Sequence, residues 1–299
     1  MLRKNALGFL LLLMGMNILL ISCQDGSDPK KTQPPVEAKP DSLSAAQLNE
    51  LKKIFFSIPS PAEMATLIQE KGFQYDQNQL VPTANVDKYA GETRQAIMLG
   101  IYGADLSYTS IFSQKQSTTE YFAASQKLAR QMQIDGIITP ELIERLEKNQ
   151  NDREAMLNIV SEAYADMNDY LKEKQRYEIS ALVVAGGWLE ALYLSTLYAN
   201  DGTQEIRQRV AEQKYSLNNL LTYLDKFGDN SSIKEMKADL TRLKEAYSPV
   251  EENKGKTTTA KDQSGAMVIG TTTKIVMDDA TLVAITTLTK EIRTKYTAL

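Results

Sequence analysis

Histidine is absent from all 299 residues, and there is one cysteine, Cys23. Without histidine the chain cannot build a Ser-His-Asp triad, and a lone cysteine cannot form an internal disulfide. Zinc and haem sites that depend on imidazole or paired thiolates are excluded with them, and no cofactor or metal is expected. No glycine-rich phosphate-cradling motif occurs. There is one tryptophan, Trp188, and seven phenylalanines, so the aromatic platforms usual in sugar-binding clefts are scarce. Lysine and arginine number 34 against 38 acids. The two signs are interspersed with no basic stripe, which speaks against nucleic-acid binding. Any catalysis would fall to carboxylates, lysines, tyrosines or serines.

What is present begins with a charged start and an apolar run. Arg3 and Lys4 precede an apolar stretch over 6–21 that ends Ile18-Leu19-Leu20-Ile21-Ser22-Cys23-Gln24. The run is shorter than the roughly 20 residues that cross a bilayer, and polar sequence follows at once, so 1–22 reads as a signal peptide. Its ending resembles a bacterial lipobox: aliphatic residue, tolerant position, small residue, cysteine. That resemblance implies acylation of the Cys23 sulfur and cleavage just before it. The alternative is an ordinary signal peptide with an incidental cysteine. Loss of Arg3 and Lys4 would take the formal charge from −4 to −6.

Residues 23–43 follow as a tether. "DGSDPKKTQPPVEAKPD" holds four prolines and no aromatic residue. At about 3.1 Å per residue in a polyproline-like state it would reach roughly 50 Å. From Ser44 to residue 248 the pattern is helical. Ser44-Ala45-Ala46-Gln47, Ser60-Pro61-Ala62-Glu63, Ser117-Thr118-Thr119-Glu120 and Asp201-Gly202-Thr203-Gln204 are helix-start patterns of the capping-box type. Pro61 and Pro140 suit a first turn, and Gly72, Gly136 and Gly228 suit helix ends. Over 151–174, Met156, Ile159, Val160, Ala163, Met167, Tyr170 and Leu171 recur at helical spacing.

Two segments are apolar nearly all round: 96–112 ("AIMLGIYGADLSYTSIF") and 179–199 ("ISALVVAGGWLEALYLSTLYA"). Each holds one acid, Asp105 and Glu190. Each also carries small residues on one face: Gly100, Gly103, Ala104 and Ser107, then Gly187, Ala191 and Ser195. They read as the two central helices of a bundle. The second is long enough to be weighed as a membrane span, but an ionised Glu190 would cost about 2.5–3.5 kcal/mol at mid-span. Asp105-Leu-Ser-Tyr108 corresponds to Glu190-Ala-Leu-Tyr193, and Glu120 to Glu205, which suggests a duplicated helical unit. Residues 249–279 change texture. "EENKGKTTTAKDQSG" is polar, and Val268-Ile269 with Lys274-Ile275-Val276-Met277 form either a small hairpin or a loop. Asp278 and Asp279 start a last helix, most of it in 280–299, with Leu282, Ile285, Leu288 and Ile292 as its buried stripe. Arg293 and Lys295 suit its C-terminal dipole. The fold class is therefore all-α, a multi-helix bundle or repeat-like array around two apolar helices.

At "IPSPAE", "LGIYGADLSY", "QKLARQMQI" and "AGGWLEALY" the chain resembles a family of helical lipoproteins of the Bacteroidetes to which no activity is assigned. The resemblance covers most of the chain after Cys23. It implies an all-helical fold and a place in the cell envelope, and it supplies no catalytic residues. Gln24, rather than aspartate, follows the cysteine, which favours outer-membrane attachment. Two functions lead, with a purely structural role in the envelope behind them. One is a tethered binding or scaffold module whose partner is a protein or small molecule, held to the bilayer through acylated Cys23. The other is a carboxylate-dependent enzyme, for example a glycan hydrolase, using Asp105 and Glu190, since such chemistry needs two carboxyls about 5–9.5 Å apart. As structural acids the pair should be hydrogen-bonded, ion-paired or protonated, with Tyr102, Tyr108, Tyr193 and Tyr198 as partners or else an arginine or lysine, and Trp188 nearby. Asp105→Asn and Glu190→Gln would then each cost about 1–3 kcal/mol.

Overall fold

The computed structural model describes residue 53 and residues 57–137, 139–149, 152–199, 204–228, 230–261 and 267–299. Cys23, the expected signal peptide and tether, and the start signals at Ser44 and Asp201 lie outside the described residues. Nine α-helices and one two-stranded hairpin occur among those described. They are α1 (Pro61–Glu70), α2 (Glu92–Ile111), α3 (Lys115–Gln131), α4 (Pro140–Lys148) and α5 (Arg153–Glu173). Then come α6 (Tyr177–Ala199), α7 (Gln204–Asp225), α8 (Ser231–Ala246), β1 (Glu251–Lys261), β2 (Met267–Val276) and α9 (Asp279–Thr297).

The starts of α1, α4 and α9 follow local chemistry. Ser60 precedes Pro61, and its backbone N–H donates to Glu63 Oε1 at 3.3 Å. Thr139 Oγ1 accepts from Leu142 N at 3.2 Å, and Asp278 Oδ1 from Thr281 N at 2.7 Å. These bonds use amides that have no partner within the helix. The Ser117 pattern is different: α3 already begins at Lys115, and Ser117 is buried inside its first turn. The reason lies in the preceding turn. Ser113 takes φ +57°, and Gln114 N donates to Thr109 O at 2.9 Å, so α2 closes and α3 opens within three residues. The same closure ends α3 at Gln133 (φ +58°) and α5 at Gln175 (φ +57°), with Ile134 N on Ala129 O and Arg176 N on Leu171 O. Gly136, expected at a helix end, lies instead in the short 3-10 turn Asp135–Ile137.

α2 and α6 are the centre. Gly100 and Gly186 set their separation. A Cβ on Gly100 would stand 2.0 Å from Val183 O, and one on Gly186 would stand 2.2 Å from Ile97 O. Only glycine allows the two backbones this close. α6 is long and apolar enough to cross a membrane, yet its most apolar window is buried entirely within the fold. α1, α3, α5, α7 and α9 surround the pair. Ile159, Met167 and Leu171 of α5 are buried, as expected from their spacing, and so are Leu282, Ile285 and Ile292 of α9. β1 and β2 pair antiparallel, from Glu251 with Val276 to Lys261 with Met267, with a register shift between Lys254 and Thr257.

Candidate functional site: a buried acid pair and its arginine

Asp105 on α2 and Glu190 on α6 are both fully buried. An isolated carboxylate in such a place would cost several kcal/mol, on the order of the desolvation of one ion, so each must be neutralised. The two are neutralised differently.

Glu190 has an arginine. Arg293 reaches inward from α9, its Nε 2.6 Å from Oε2 and its Nη2 2.7 Å from Oε1. This is the two-pronged fork that a guanidinium makes with a carboxylate. The guanidinium also lies 4.0 Å over the Tyr193 ring, and Nη2 donates to Gln79 O at 2.9 Å. Burial opposes its charge, but Glu190's charge and hydrogen bonds, with Asp105 nearby, outweigh that and hold Arg293 protonated more firmly than an ordinary arginine. Lys295 stands in the last turn of α9, as expected from its place in the sequence, and Arg293 and Lys295 both have acidic partners as well. Lys295 Nζ meets Asp239 of α8 at 2.5 Å. The last carbonyls of α9 are taken by Arg94 Nη2 on Lys295 O (2.9 Å) and Tyr89 OH on Thr297 O (3.2 Å).

Asp105 has no cation of its own. Its Oδ2 accepts from Val81 N at 3.2 Å. Its Oδ1 makes no hydrogen bond of ordinary geometry. Burial, then the Glu190 charge, push its pKa well above the usual carboxylate range, while Arg293 and the Val81 N–H pull the other way. Burial and the neighbouring Glu190 thus both favour a proton on Asp105, while Glu190 itself is bound by the Arg293 fork.

The surrounding tyrosines do not bond the acids. They hold the irregular segment 79–82 that lies over them. Tyr102 OH donates to Pro82 O (3.0 Å), Tyr121 OH to Val81 O (2.9 Å) and Tyr193 OH to Gln79 Oε1 (3.1 Å). Together with Asp105 on Val81 N and Arg293 on Gln79 O, helices α2, α3 and α9 supply bonds that this stretch of backbone cannot make to itself, and α6 holds the Gln79 side chain. Tyr108 is separate, sharing a hydrogen bond with Tyr198 at 2.8 Å. Trp188 faces α7, its Nε1 donating to Gln213 Oε1 at 3.0 Å, and takes no part in the acid cluster.

No protein-family model, curated protein or solved structure matches the chain. The arrangement is therefore judged on its own chemistry. Asp105, Glu190, Tyr102 and Tyr193 do come together, whereas Tyr108 and Trp188 stand apart. Arg293, Gln79, Val81 and Tyr121 were not selected from the sequence. Nothing in the spacing marks Arg293, which lies 103 residues beyond Glu190. No group of three or more metal-ligating side chains occurs among the described residues.

Proposed function

We propose that the chain is a lipid-anchored helical module of the bacterial cell envelope, attached to the outer membrane through acylated Cys23, that binds or scaffolds a protein or small molecule. The observation that carries this reading is the run Leu20-Ile21-Ser22-Cys23 at the boundary between an apolar stretch and a proline-rich polar one. Several acyl chains hold a protein on a bilayer almost permanently, since each buried CH₂ contributes about 0.8 kcal/mol. The resemblance to helical envelope lipoproteins points the same way.

The buried trio supports a rigid module rather than a hydrolytic centre. Both carboxyls are sealed, at 0% exposure. One is bound by a guanidinium and the other by the Val81 N–H, and neither is open to a substrate or an attacking water. Their chemistry is that of a lock that fastens α9 and the 79–82 segment to the two central helices. The test is fractionation of the Cys23→Ser chain. The parent should stay with membranes through a carbonate wash and the variant should be released. A variant that remains membrane-bound overturns the anchor.

A further inference from the structure

Arg293 stands on α9, but the groups that hold its guanidinium stand elsewhere. Glu190 on α6 accepts from Nε at 2.6 Å and from Nη2 at 2.7 Å. The Gln79 carbonyl accepts from Nη2 at 2.9 Å, and the Tyr193 ring lies 4.0 Å from the guanidinium carbon. A carboxylate for the planar fork, a carbonyl for a further N–H and an aromatic face together recognise a guanidinium. An ammonium group matches them less well, because it has no planar fork.

These parts are held together without α9. Tyr193 OH donates to Gln79 Oε1 at 3.1 Å. Asp105 accepts from Val81 N, Tyr121 OH donates to Val81 O and Tyr102 OH donates to Pro82 O, so α2 and α3 fix the segment that carries the Gln79 carbonyl. A receptor ordered in advance loses little on binding. α9 in turn has other fastenings. Leu282, Ile285 and Ile292 are buried, and Lys295 Nζ and Tyr296 OH meet Asp239 of α8 at 2.5 and 2.7 Å. The Arg293 side chain keeps 13% of its surface exposed, whereas Glu190 keeps none. The arginine is thus the stopper between that carboxylate and water.

We propose that Glu190, Tyr193 and the Gln79 carbonyl form a binding site for an alkylguanidinium compound, which the chain fills with its own Arg293. While Arg293 occupies it the site is closed to outside ligands, so α9 acts as an internal competitor. The way in follows the path of one side chain, which suits a small guanidinium compound rather than a folded partner. The proposal goes beyond the envelope reading and does not depend on the anchor at Cys23.

Arg293→Ala in the full-length protein vacates the site. Ethylguanidinium is the probe, and ethylammonium is the control of equal charge that lacks the fork. Ethylguanidinium should stabilise the variant against urea with a saturable dependence, half complete at roughly 1–10 mM, an affinity within reach of a ligand of about six non-hydrogen atoms. At ten times the half-saturating concentration the unfolding equilibrium constant should fall about tenfold. Ethylammonium should need at least about tenfold more for the same effect. The parent chain, and Arg293→Ala combined with Glu190→Gln, should show no saturable gain. If Arg293→Ala does not fold by itself, the same comparison is read as the yield on refolding from urea. No saturable gain with ethylguanidinium, an equal gain with ethylammonium, or the same gain in the parent or without Glu190 overturns the site.

Discussion

Asp105→Asn and Glu190→Gln, alike on paper, should act in opposite directions. Glu190→Gln leaves the Arg293 guanidinium buried against a neutral amide. Breaking a buried pair in this way costs about 3–5 kcal/mol. Asp105→Asn replaces a carboxyl whose protonated form burial favours by an amide of nearly the same shape. The amide oxygen can still accept from Val81 N, so the change at pH 5 should stay within about 1 kcal/mol. The pH dependence then separates wild type from Asn. The folded-state pKa of Asp105 is raised, so its stabilising contribution is full below the ordinary carboxylate range. It is lost as pH rises toward the folded pKa, because the unfolded chain releases a proton that the folded chain retains. The loss runs at up to about 1.4 kcal/mol per pH unit. Asn has no such proton, so at pH 8 the Asp105→Asn protein should be the more stable of the two. Urea unfolding followed by Trp188 fluorescence at pH 5 and pH 8 measures both effects. In Glu190→Gln, Asp105 loses its repelling neighbour and is free to ionise beside Arg293, so the double variant should lose more than the two singles combined. If Asp105→Asn is destabilised equally at the two pH values, or loses as much as Glu190→Gln, the assignment of the proton is wrong.

Gly100→Ala and Gly186→Ala drive a methyl to about 2 Å from a backbone carbonyl on the facing helix, and each should cost more than about 4 kcal/mol or prevent folding, read by thermal melting. Gly at 113, 133 or 175, each at positive φ in a non-glycine residue, should stabilise by about 0.5–1 kcal/mol in urea unfolding. Gln213→Ala removes the acceptor for the buried Trp188 indole N–H and should cost about 1–3 kcal/mol, with a change in Trp188 emission that Asp105→Asn does not produce.

The helices were legible because their cause is local. The three-four spacing in α5 and α9 and the Pro-bearing starts at Ser60 and Thr139 act within one turn of chain. The central role of α2 and α6 was legible because an all-apolar surface needs cover on every side and small residues mark the contact. Helix ends were harder. Gly72 (φ +83°) signals its turn, but Ser113, Gln133 and Gln175 take the same left-handed conformation with no glycine to announce it. Their six-residue closing bonds compensate for the strain, and that compensation is invisible until the turn exists. The two acids were legible as lone charges in apolar surroundings. Their unequal treatment was not, because the deciding cation arrives from the far end of the chain and the deciding backbone amide from an irregular segment. Long-range pairing of this kind leaves no periodicity.

Anchorage at the envelope is the central functional claim, and mass spectrometry of the N-terminal peptide of the protein isolated from its native membranes tests it most directly. The predicted result is a mature chain that begins at Cys23 and carries acyl chains on that residue. A mature N-terminus elsewhere, or an unmodified Cys23, would contradict it.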